Sequence, residues 1–398
     1  MSHVTHQTSP RRPPSPLWLF NPALDLLVGC GGWSLPLILL TWWFSQQGAY
    51  ASLAFYALAI FCNQPHYMAT VYRAYHTKED FNKYRFFTVY ITVLLAATVL
   101  LVHFAPSLFP YVFTLYLTWS PWHYTGQNYG IAMMLIRRTG AQPTDEDRSL
   151  LWWSYIASYV VWFVALHSSK ESAPTLVLLG INPGVASWIE LFCIILFFAA
   201  GAYGLARIAK QVGWRKLIGP ILLHLSQSLW FVSPTLLKLA GGFDLPATYF
   251  SAGILAFMHC AQYLWITTFY ARREGSASTG AGTEREKTNS APGFSFWRYY
   301  AGLVVGGIAL FIPGPWIASR IFHYDLVESF FIFMALVNLH HFILDGAIWK
   351  LRDGRIARLL LGRNPSATEA EQALETTPAS SHLGWLFGPT RTARKLRW

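Results

Sequence analysis

The chain has 398 residues, 54% of them hydrophobic and only 12% charged, with 28 Phe, 20 Tyr and 18 Trp. An ordinary soluble domain carries roughly 25% charged residues, and few charges cannot keep this much apolar surface in water. The composition excludes a disordered, fibrous or nucleic-acid-binding chain and predicts an all-α, polytopic transmembrane helix bundle.

The N-terminal tail, residues 1–16, is polar, proline-rich and basic, without the layout of a cleaved signal peptide. Ten apolar stretches follow, at about 24–44, 50–72, 86–104, 108–136, 150–167, 185–206, 217–236, 247–270, 297–318 and 328–349. Each is near the roughly 20 residues that a bilayer core requires. Pro36, Pro65, Pro121, Pro234 and Pro313 interrupt them and predict kinks. The chain thus divides into helices one to eight (17–273), a flexible Gly/Ser-rich linker (274–296), and helices nine and ten (297–349). Residues 350–363 read as an amphipathic interfacial helix, with Leu351, Ile356, Leu359 and Leu360 among Lys350, Arg352, Arg355 and Arg358. Residues 364–398 read as a mobile tail. Cys30, Cys62, Cys193 and Cys260 lie in separate stretches without CxxC spacing, as buried small hydrophobes do.

Topology explains the net charge of +11. With the N-terminus inside, 27 of the 30 lysines and arginines fall in the tails and the even-numbered gaps, leaving Lys170, Lys238 and Arg320 on the other side. The positive-inside rule then puts both termini in the cytoplasm. Membrane lipids, not nucleic acid, are the expected partner of this charge, and a bacterial inner membrane is the plainest address.

Ionisable groups inside a bilayer are costly and point to function. Six histidines lie within the apolar stretches: His66, His123, His224, His259, His340 and His341. Each is 7 to 14 residues from the nearest cytoplasmic basic residue, or roughly 10–21 Å along a helix. Gln127, Gln227, Gln262 and Asp345 follow His123, His224, His259 and His341 by three or four positions, on the same helical faces. Neutral imidazole is a common metal ligand, and a neighbouring amide or carboxylate orients the ring. The other reading is plain interhelical hydrogen bonding by histidine and glutamine. His66, His123, His259 and His340 are the expected ligands, with His224 and His341 in reserve.

Three tracts, NQPHYMATVYR around His66, FMHCAQYLW around His259 and the C-terminal LHHFILDGAIWK, resemble the Brp/Blh family of membrane-embedded carotenoid dioxygenases. In the last tract His340 is followed five positions later by Asp345, as in that family's final helix. Tyr263 stands where the family has the second histidine of a His-x-x-x-His pair, and its His-Gly-x-x-Asp tracts are absent. The resemblance implies a histidine-held iron and oxidative cleavage of a carotenoid-like substrate. The double histidine also resembles, more weakly, part of a His-x-x-His-His box of membrane fatty-acid desaturases and hydroxylases, with Asn338 one place off.

The expected function is therefore an integral-membrane, His-ligated non-haem iron oxidoreductase of dioxygenase or monooxygenase type. Its substrate would be a lipid-soluble small molecule, and any electron donor is unidentified. A haem b electron carrier and a transporter or proton pathway are the alternatives.

Overall fold

A computed structural model describes residues 17–45, 59–168, 175–241, 255–278, 294–349 and 354–361. Among them every regular element is a helix, as the composition predicts. Residues 1–16, 46–58, 169–174, 242–254, 279–293, 350–353 and 362–398 lie outside the described residues, and with them both tails, most of the linker, Lys170 and the first residues of the stretch 350–363.

The stretch expected at 24–44 is two pieces. A π-type turn, Asp25–Gly29, stops at Gly31, whose φ of +73° glycine adopts readily, and α1 (Ser34–Ser45) restarts beyond it. Next come α2 (Gln64–Tyr75), the short α3 (Lys78–Lys83), α4 (Thr92–Phe104) and α5 (Phe109–Arg138). An antiparallel pair, α6 (Asp145–His167) and α7 (Pro183–Val212), packs closely because Gly204 leaves room for Leu150 and Leu151. The expected span 217–236 breaks before Pro234 into α8 (Ile218–Phe231) and α9 (Ser233–Leu239). α10 (Ala256–Ser278) carries the eighth stretch past residue 273 into what reads as linker. The ninth divides at Pro313 into α11 (Phe296–Phe311) and α12 (Pro313–Phe322), and α13 (Leu326–Ile348) is the tenth.

Among the described residues, five helical segments are long and apolar enough to cross a membrane: Phe86–Phe104, Asp145–His167, Pro183–Val212, Phe296–Phe322 and Leu326–Ile348. Their outer faces are apolar; Val93, Leu94, Phe104, Trp188, Phe192, Val305 and Ile321 are all exposed. A surface of this kind calls for lipid or a partner to cover it.

The segments expected on the cytoplasmic side meet at one end of the bundle. Arg138, at the end of α5, donates to the carbonyls of Leu17, Trp18 and Leu360. Arg73 and Arg355 both pair with Asp80 of α3, and Arg355 also pairs with Glu274 of α10. The last helix among the described residues, α14 (Gly354–Leu361), lies within the stretch 350–363 that reads as amphipathic and belongs to this end. Ile356, Leu360 and Leu361 are buried in one core cluster with Leu135, Phe269 and Tyr270, so its apolar face covers protein.

α11 supports α2 through glycine. A Cβ on Gly307 would lie 2.8 Å from Gln64 Cβ and 3.1 Å from the Gln64 backbone, and backbone cannot swing aside. Gly307→Ala is expected to push the two helices apart and lower stability by about 1–3 kcal/mol, read as a thermal shift in detergent.

Candidate metal centre

Four helices each supply one imidazole to a common buried point: His66 from α2, His123 from α5, His259 from α10 and His341 from α13. Ring centroids around the set are 4.6 Å apart for His66–His341, 5.0 Å for His341–His123, 4.9 Å for His123–His259 and 5.4 Å for His259–His66. His259 and His341 face each other at 6.1 Å. All four helices run toward the Arg73–Arg138 end of the bundle, so one turn further on each has its i+4 residue: Thr70, Gln127, Tyr263 and Asp345.

Local sequence aims each ring. Pro65 opens α2 and has no N–H for the Phe61 carbonyl four residues back; Tyr300 Oη bonds that carbonyl instead. The next residue, His66, bonds the Asn63 carbonyl through Nδ1, which also lies 3.0 Å from Cys260 Sγ, so Nε2 is turned inward. His123 stacks on Phe342 at 4.6 Å, and His259 stacks on Tyr124 at 4.2 Å. His341 Nδ1 lies 2.7 Å from Thr70 Oγ1. Thr70 Oγ1 and Tyr263 Oη both donate to Asp345 Oδ1, at 2.9 and 2.7 Å, and Trp349 Nε1 donates to Tyr263 Oη at 2.9 Å.

The inner nitrogens are left over. Nε2 of His123, both nitrogens of His259 and Nε2 of His341 are buried with no hydrogen-bond partner among the described residues. Each such group costs about 1–3 kcal/mol unless something binds it. One ring nitrogen from each of His66, His259 and His341 lies within 4.8 Å of the others, as do the donor atoms of His123, His341 and Asp345. With metal–nitrogen bonds of about 2.0–2.1 Å, imidazole centroids in one shell should lie about 4.5–5.2 Å from their neighbours. Three of the four ring separations fall in this range and His259–His66 lies slightly beyond it, while the donor atoms form two triads that share His341.

The other expected residues lie elsewhere. His340 points away from the set, its Nε2 2.8 Å from Thr92 Oγ1, and its place is taken by His341. His224 is enclosed between α6, α7 and α8, stacked on Phe197 at 4.2 Å and beside Tyr155. The glutamines orient no imidazole. Gln127 donates to Gln262, which donates to the Gly29 carbonyl, while Gln227 bonds Thr125, Asn128 and Ser158. They hold helices together. Of the four expected supporting residues, Asp345 alone faces the rings, 3.7 Å from His123 Nε2 and 3.5 Å from His341 Nε2.

Thr70, Tyr263, Trp349 and Tyr124 were not anticipated. Thr70 and Tyr263 carried a usable signal, since each follows a site histidine by four positions. Tyr124 and Trp349 had no such mark among so many aromatics. Comparison with family models, with curated proteins and with solved structures found no match for the chain.

Proposed function

We propose that this chain is a multi-pass membrane oxidoreductase, with both termini on the cytoplasmic side, whose four convergent imidazoles hold iron. The observation that carries the reading is the set of buried, unpartnered nitrogens of His123, His259 and His341 beside an inward-turned His66. Imidazole suits zinc, copper, iron and nickel. Iron is preferred because the tracts around His66, His259 and His341 resemble the membrane carotenoid dioxygenases. When bound, it would supply dioxygen activation beside an organic substrate.

The protein's own part is to hold the rings and keep water out. Tyr124 and Phe342 fix two imidazole planes by stacking, and Thr70 sets the third. Phe342, stacked on His123, belongs to one apolar core with Tyr116, Met258 and Leu339, so a substrate reaching the set would be lipid-soluble. Haem b is the poorer occupant: a macrocycle between any two of the rings would cut through the other two.

The test is bound metal and the visible spectrum of protein purified in detergent. About one iron per chain without a Soret band is expected. A Soret band, or no metal after reconstitution with ferrous iron, would overturn the reading.

A further inference from the structure

We propose that Asp345 is itself a ligand of the metal, so that the centre is built from four imidazoles and one carboxylate. The inference rests on the metal reading above and adds a donor of opposite charge to it.

The carboxylate is held by one oxygen and offers the other. Oδ1 takes the hydrogen bonds from Thr70 and Tyr263, while Oδ2 faces Nε2 of His341 at 3.5 Å and Nε2 of His123 at 3.7 Å. Thr70 has one hydroxyl hydrogen. With that hydrogen on Asp345, its oxygen accepts from His341 Nδ1–H at 2.7 Å in the ring's Nδ1-protonated tautomer, with Tyr263 Oη 2.6 Å from the same oxygen. A neutral ring protonated at Nδ1 has a bare lone pair at Nε2. That lone pair points toward the carboxylate oxygen, acceptor against acceptor.

Neither separation is a hydrogen bond, since a charge-assisted one would be about 2.7–2.9 Å. Two donors on one ion at about 2.0–2.2 Å are instead roughly 2.9–3.6 Å apart, close to the observed spacing. Charge argues the same way. Asp345 is 6% exposed, and among the described residues no lysine or arginine forms an ion pair with it. A buried carboxylate needs a cation, and a divalent ion among four neutral rings needs an anion. The chemical class that satisfies both is a divalent metal ion with affinity for nitrogen and oxygen together, such as iron(II), manganese(II) or cobalt(II).

Cobalt(II) is the probe, because its ligand-field bands are weak for a five- or six-coordinate ion and strong for a four-coordinate one. The full chain in detergent is loaded with cobalt(II), as wild type and as Asp345→Asn, which keeps the size and the Oδ1 contacts. The wild type is expected to give weak bands, and X-ray absorption at the cobalt edge more than four nitrogen or oxygen neighbours. Asp345→Asn is expected to bind cobalt at least tenfold more weakly with bands of four-coordinate intensity. Equal affinity and equal spectra in the two proteins would overturn the ligand assignment while leaving the four-histidine centre intact. So would a four-coordinate wild-type spectrum, which needs no variant to fold. A wild type that takes up no cobalt would overturn the metal reading itself, and this proposal with it.

Discussion

His259→Leu is expected to abolish stoichiometric metal binding and yet leave the metal-free protein at least as heat-stable as the wild type. The ring is 0% exposed and neither nitrogen has a hydrogen-bond partner among the described residues. In the metal-free state such nitrogens are a liability of about 1–3 kcal/mol each, and leucine of similar volume removes them. In the metal-bound state the order reverses, because an ion that binds only the folded chain stabilises it by mass action. The measurement is thermal unfolding of both proteins with and without a chelator, together with metal content. With metal the wild type should melt higher; with chelator the difference should vanish or change sign. A variant that melts lower under both conditions would mean that the ring is a packing residue. His340→Ala and His224→Ala serve as controls, since His340 faces Thr92 and His224 faces Phe197; both should keep the metal.

That the chain is helical and holds several long apolar helices could be read from apolar length, which responds to the one-dimensional order of the chain. The breaks at Pro234 and Pro313 are marked by residue type, whereas the break at Gly31 falls inside the expected span 24–44 and Pro121 lies within a continuous α5; the course of the helix depends on what accepts the freed backbone groups. The site was legible as a depth, not as a set of partners. His340 and His341 are adjacent and about 100° apart on α13, and composition cannot say which side faces the bundle. The i+4 relation to Asp345 favoured His341, whereas the five-residue spacing of the resemblance favoured His340; in the structure His341 enters the set. His224 sits at a similar depth on α8, but the aromatic wall of Phe197 and Tyr155 separates it from the others. The glutamines matched the spacing of ring supports because any polar side chain at i+3 or i+4 shares the histidine's face. Their partners are chosen across helices, which spacing along one helix does not encode.

Asp80→Asn is expected to lower stability at neutral pH by about 3–5 kcal/mol, the usual penalty for leaving one partner of a buried ion pair alone. Arg73 Nη1 lies 2.8 Å from Asp80 Oδ2, with both side chains almost fully buried, and Arg355 Nη1 reaches both carboxylate oxygens at 3.2 Å. Asparagine with its oxygen toward Thr77 and Arg73 keeps those contacts, removes the charge and turns its NH2 toward Arg355 Nη1. Burial pushes the Asp80 carboxyl up, but the hydrogen bond and charge of Arg73, with help from Thr77 and Arg355, outweigh it and hold the group below the ordinary carboxylate range. The unfolded chain therefore takes up the proton first as pH falls. The network's contribution is complete above the ordinary value of about 3.9 and is lost as pH drops from there through the lower native value. Melting curves of wild type and Asp80→Asn from pH 7 to pH 3 should begin to close below pH 4, by about 1 kcal/mol at pH 3, because the wild type falls. Parallel curves would show that the carboxylate is not charged against Arg73 in the folded state. Arg73 stands seven residues beyond His66 on the same helix, and Arg355 ties α14 to the same carboxylate. The pair thus anchors the foot of a helix that carries one of the four rings, and loosening it should weaken metal retention before it unfolds the bundle.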